Sequence, residues 1–157
     1  MTVSATVEVT LDGTYLINAL HNAARHIAGQ DLMTSIGLSL KQRNEARHVA
    51  ETDPDGNPWT PLKPYTIKHK KNPRMLVEEG DMLRLYSTAT DNTVTVGTAD
   101  KKAYWHHAGT RRQSDKGPTR GLPPRPIIGL PEADQQFIVR LLDDHVNAVL
   151  TQSGLRP

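Results

Sequence analysis

The stretch MLRLYSTATDNTVTVGT, residues 82–98, sets two runs of strand-forming residues on either side of Asp91-Asn92. Asp and Asn favour the tight backbone of a turn, so the spacing predicts a β-hairpin with strands near 82–90 and 93–98. On the second strand Thr93, Thr95 and Thr98 are β-branched and polar, while Val94 and Val96 face a core. Everything else in the chain is read by how it covers this hairpin.

Upstream, residues 2–10 alternate apolar Val3, Ala5, Val7 and Val9 with polar neighbours, the pattern of a half-buried strand. From about 14 to 28, Leu16, Ala19, Leu20, Ala23 and Ile27 recur at spacings of three and four and predict a helix. Gly29 breaks it, and Asp31 is placed to cap a second helix that runs to about Val49 behind Leu32, Ile36 and Leu40. The latter half of that helix, within KQRNEARHVAE, is so polar that it must be exposed or lie along a neighbour. Gly37 inside it costs about 1 kcal/mol relative to Ala, which predicts close packing there. The loop 51–66 is punctuated by Pro and Gly, with Trp59 as the anchor that pins it to the body.

Downstream, residues 100–110 predict a short helix ended by Gly109. GLPPRPIIGLPE (121–132) then holds four prolines, which fix φ and remove backbone donors, so it must be an extended, stiff strap. A last helix from about Pro131 to Leu150 carries the apolar face Phe137, Ile138, Leu141, Leu142, Val146 and Val149, with Glu132 and Asp134 complementing its N-terminal dipole. The order predicts an α+β fold: a small antiparallel sheet of two to four strands packed with two long N-terminal helices and a C-terminal helix. It reads as one domain over 1–157, with extended loops at 51–74 and 111–131 and a flexible tail at 151–157.

The 157 residues are 36% hydrophobic and only 4% aromatic, so the core is built from Leu, Ile, Val and Ala. The absence of cysteine excludes disulfides, thiolate metal sites and thiol nucleophiles. The N-terminal residues lack the apolar core of a signal peptide, and no apolar run approaches membrane-spanning length. The formal net charge is +2, but it is segregated: residues 63–74 carry a net +5, residues 111–125 a net +4, and the rest is acidic.

The search for catalytic chemistry is negative. GTADKK (97–102) lacks the second Gly and the Ser or Thr of a phosphate loop, and no G-x-S-x-G is present. Adjacent His106 and His107 point about 100° apart on a helix, with no carboxylate or third His at ligand spacing. His107 is expected to pack under the hairpin, or either histidine to sit at a subunit contact. The acidic pairs, such as Glu78-Glu79, have no acid/base partner. No metal or cofactor is expected. Of the basic segments, only Tyr65 offers an aromatic to a nucleobase, which leaves phosphate contact rather than base reading.

Three segments together resemble the phage virion morphogenesis family, the tail completion proteins of Mu-like contractile-tailed phages. They are DPDGNPWTPLKPYTIKHKK, MLVEEGDMLRLYSTATDNTVTVGTADKKAYWHHAGT and LPPRPIIGLPEAD. The last is similar to a Leu-Pro-x-Arg-Pro signature ahead of the final helix, with Ile127-Ile128 where an aromatic is expected first. The resemblance implies a non-enzymatic structural role: completing the head-proximal end of a tail and helping it join the head, as a ring matched to the six-fold tube. Implied partners are further copies of the chain (a hexamer is favoured), the tail tube or terminator, neck proteins, and DNA passing through a lumen. The implied location is the host cytoplasm during assembly, then the tail or neck of the virion, with no membrane contact. Under this reading Trp59, Lys68, Lys70, Lys71, Arg111, Arg112, Arg120, Arg125 and Pro126 are candidates for interface or partner docking, and Gly97, His107, Gly109 and Gly129 are structural. The strap either packs on its own core through Leu122, Ile127, Ile128 and Leu130 or docks on a neighbour. The alternative function is a sequence-nonspecific nucleic-acid-binding module using 63–74 and 111–125.

Overall fold

The computed structural model describes residues 18, 29–78, 82, 84–110 and 121–155. The expected strand at 2–10 and most of the expected helix at 14–28 lie outside these residues, although Asn18 is helical. Helix α1 spans Gln30–Ala50, α2 Pro64–His69, α3 Lys102–Ala108 and α4 Glu132–Gln152. Strands β1 (Leu85–Ala89) and β2 (Val94–Thr98) pair antiparallel, from Ala89 opposite Val94 to Leu85 opposite Thr98. The hairpin is therefore where the turn residues put it. Its first strand starts three residues later than expected, because β2 offers no ladder partner beyond Thr98.

Helix α1 lies across this hairpin with Leu32 and Ile36 buried. A Cβ at Gly37 would stand 3.0 Å from Val94 Cγ1 and press on Ser87 Oγ, so the glycine lets helix and hairpin touch. Asp31 does not cap the helix. Gly29 occupies the N-cap and Asp31 sits in the first turn, where its charge still suits the helix dipole. Helix α4 runs antiparallel along α1: Asp134 at its start meets Arg43 and Arg47 near the end of α1. At its other end, Val149 and His145 line a cavity with Gly29 and Leu32.

In the core cluster Trp59, Leu76, Ala103 and Ile127 are buried together, with Met75, Met82 and Ile128 packed around them. Four separate segments meet in this cluster, which explains how so few apolar residues close it. The expected loop 51–74 is not extended throughout. Pro64 at the first helical position starts the six-residue α2, since its missing N–H would have had no partner there anyway. Before it, Asp53 accepts the Asn57 backbone N–H at 2.8 Å and Gly56 takes φ +87°, making the tight turn that delivers Trp59 to the core. Helix α4 continues to Gln152, into the expected tail. The Leu155 and Gly154 N–H groups donate back to the carbonyls of Leu150 and Thr151, with Gly154 at φ +70°, a motif that closes helix ends.

Candidate functional site

The strap is the feature on which the most distant parts of the chain converge. Proline leaves it few backbone donors, and those of Arg125, Ile127 and Gly129 each have a dedicated acceptor. The Arg125 N–H donates to the His106 carbonyl at 2.7 Å, the Ile127 N–H to His107 Nδ1 at 3.1 Å, and the Gly129 N–H to Asn44 Oδ1 at 3.0 Å. The Pro126 carbonyl accepts from Trp59 Nε1 at 3.0 Å. Ile127 is 2% exposed and fills the core from the strap side, while Leu122 and Leu130 remain exposed. The strap thus packs on its own chain through Ile127 and Ile128, and not through all four of the apolar residues expected to hold it.

Arg125 is 4% exposed, and its guanidinium donates to the carbonyls of Thr60 at 2.8 Å and Pro61 at 3.4 Å. Nε and Nη2 of this side chain, an interface candidate by sequence, bond within its own chain and fasten the strap to the loop after Trp59. His107 is not packed under the hairpin; it is exposed and serves as acceptor for the strap. Gly109 takes φ +73°, and a Cβ there would stand 2.8 Å from Pro124 N and 2.9 Å from the Leu122 carbonyl, so only glycine lets the strap turn back on α3. Gly129 abuts the Pro54 ring, and Gly97 lies under the Tyr86 ring of the paired strand.

Below the strap, the polar half of α1 is the neighbour-facing surface that the sequence left undecided. Arg43 Nε and Arg47 Nη2 bind the two carboxylate oxygens of Asp134 at 2.5 and 2.8 Å, and Asp134 is fully buried. Burial alone would raise the Asp134 carboxyl, but hydrogen bonds from Arg47 and Arg43 outweigh it and hold it below the usual carboxylate range. Arg43 also covers the Phe137 ring at 4.9 Å. His48 is 1% exposed, meets Trp59 edge-on at 5.2 Å, and has no hydrogen-bond partner among the described residues at either ring nitrogen. Burial, with the Arg74 charge, lowers its pKa. Arg43, Asn44, Arg47, His48 and Asp134 were not singled out as site residues. The available signal was the i, i+4 repeat of Arg43 with Arg47 and of Asn44 with His48, a polar stripe at helical spacing.

The basic loop divides. Lys70 Nζ donates to the Val77 carbonyl at 2.7 Å and to Glu78 at 2.9 Å, closing the 70–78 segment. The Lys70 bond, with the Lys71 backbone N–H, lowers the Glu78 pKa. Lys68 and Lys71 are exposed. Arg111, Arg112 and Arg120 lie outside the described residues. Between α2, the loop 60–63 and the strap opens a groove of about 570 Å³, lined by Leu62, Lys63, Leu76, Lys102, His106 and Leu122 among others. Burial, with the Arg125 charge, lowers the His106 pKa, and its Nδ1 is buried without a partner among the described residues. Among the described residues no three His, Cys, Asp or Glu side chains gather into a metal site.

Compared with known proteins, residues 11–147 match the profile of the phage virion morphogenesis family. No curated protein and no solved structure matches the chain.

Proposed function

This chain belongs to the phage virion morphogenesis family, and from that premise we propose that it is a structural protein that completes the head-proximal end of a phage tail and helps join it to the head. It acts as a closed ring around the tail axis, most simply a hexamer matching a six-fold tube. The family is one of virion morphogenesis and not a known enzyme family. The partners are other copies of the chain, the tail tube or its terminator and the neck proteins. The protein passes from the host cytoplasm into the tail or neck of the virion. Among the described residues no helix is long and apolar enough to cross a membrane.

The observation that carries this reading is where the aromatic residues lie. Of the seven Trp, Tyr and Phe side chains, Tyr65, Tyr86, Tyr104 and Trp105 are each at least 45% exposed. A chain this poor in aromatics gains nothing for its own core by leaving them in water, whereas aromatics are enriched where proteins meet. Tyr104 and Trp105 stand on α3, the helix that holds the strap, so a rigid platform presents them.

The test is solution mass by light scattering on a sizing column, with and without purified tail tubes. A discrete multiple near six, free or on tubes, is expected; a monomer that ignores tubes overturns the proposal. A second reading, phosphate contact by exposed Lys68 and Lys71, is favoured if DNA binding weakens steeply with salt and is lost when both are reversed in charge.

A further inference from the structure

We propose that the groove between α2 and the strap is a docking site for a short acidic peptide segment of a partner protein, whose carboxylates meet Lys63 and Lys102 while its apolar side chains rest on the floor. The proposal rests on the assembly reading for the source of that peptide, and on the groove alone for its chemistry.

The floor is apolar, formed by Leu62, Leu76, Met82 and Leu122, and Leu122 is one of the large apolar residues the strap leaves 40% exposed. At about 570 Å³ the groove lies in the range of sites that take a few side chains. Among the described residues its charges are unbalanced. Glu78, the acid on the wall, is already held by Lys70 at 2.9 Å, and Arg125 is committed to the Thr60 and Pro61 carbonyls. Lys63 makes no ion pair among the described residues. Lys102 has, among the described residues, a single ion-pair partner, Asp100 at 3.8 Å, and its own side chain is 60% exposed. His106 also lines this wall, with its Nδ1 buried and without a partner among the described residues.

Positive potential over an apolar floor selects an anion that also carries hydrocarbon. A nucleic acid fits less well, because among the described residues no Trp, Tyr or Phe lines the groove to stack a base, and a phosphate backbone has nothing to place on the leucines. An acidic peptide with interleaved leucines satisfies both surfaces at once. A peptide, moreover, needs no movement of the strap, which its hydrogen bonds to His106, His107 and Asn44 hold in place.

The test is NMR of the isotope-labelled full chain titrated with acetyl-Leu-Glu-Leu-Glu-Leu-amide, with its Leu/Lys counterpart and with a short oligothymidylate. Saturable shifts are expected at the amides of Leu62, Lys63, Lys102 and Leu122 with the acidic peptide only. The double variant Lys63→Glu/Lys102→Glu should weaken it about tenfold, the effect of reversing two rim charges. Lys68→Glu/Lys71→Glu, outside the groove, should leave it within about twofold. Equal binding of the lysine peptide, shifts at these amides with the oligonucleotide but not the peptide, or no shifts at millimolar peptide would each overturn the proposal. The assay needs no assembly: rings on tails with a silent groove sink only this inference, and peptide binding without tail association sinks only the assembly reading.

Discussion

Replacing Asp134 by asparagine keeps the shape of the side chain and removes the charge that Arg43 and Arg47 grip. The carboxylate is fully buried, whereas the Arg47 and Arg43 side chains are 15% and 39% exposed. Removing one partner from a buried ion pair costs about 3–5 kcal/mol, because the remaining charge stays desolvated. Two features reduce that here. Arg43 is exposed enough to turn toward water, and the asparagine oxygen still accepts one hydrogen bond. The expected loss is therefore about 2–3 kcal/mol, or roughly 5–10 °C in Tm for a chain of this size. Urea titration followed by circular dichroism measures it. Because Arg47 also donates to the Gly129 carbonyl at 3.4 Å, amide exchange at Gly129 and Ile127 should accelerate more than in the β-hairpin. The pH dependence carries the same information. The folded carboxyl is held below its usual range, so its stabilisation is present above about pH 4 and lost as pH falls through the folded value. Asp134→Asn should flatten that acid limb. A loss under about 0.5 kcal/mol with unchanged exchange at the strap would refute the idea that this carboxylate ties strap and α4 to α1.

His48 and His106 act at higher pH. Their folded pKa values are lowered, so below about pH 6.5 the unfolded chain takes up protons that the folded chain refuses. Stability should fall from pH 7 to pH 5, and His48→Phe should reduce the slope measured by urea titration at both pH values. Gly109→Ala forces a Cβ against strap backbone at a positive φ and should cost about 1–3 kcal/mol, with faster exchange at the Arg125 amide. Arg125→Lys keeps the charge but loses the two-nitrogen grip on the Thr60 carbonyl, from Nε at 3.0 Å and Nη2 at 2.8 Å, and should cost about 1–2 kcal/mol by denaturant titration. No change in that variant would remove Arg125 as the fastener.

Local chemistry was legible wherever a residue type admits few backbone states. Asp91-Asn92 gave away the hairpin, Gly109 the end of α3, the prolines at 123–131 the extended strap, and the spacing of Leu32 and Ile36 the buried stripe of α1. Trp59 was legible as an anchor because a large indole in a Pro/Gly loop has little reason to exist except to be buried. Short-range capping was less so: Asp31 was an equally good cap by type, and Gly154 closes α4 only because its carbonyl partners happen to lie within reach.

The sequence by itself thus determined the hairpin, α1, α3, the strap and α4 in their order, the segregation of charge and the family resemblance, because turn, proline and periodicity rules act within a few residues. Only the tertiary structure decided which polar groups meet. That Asp134 would lie between Arg43 and Arg47, that Asn44 would receive the Gly129 N–H, and that Arg125 would turn inward to Thr60 are contacts across 65 to 91 residues of chain. A charged side chain reads the same in sequence whether it is solvated or buried. What separates the two is whether packing brings a partner close enough to replace water.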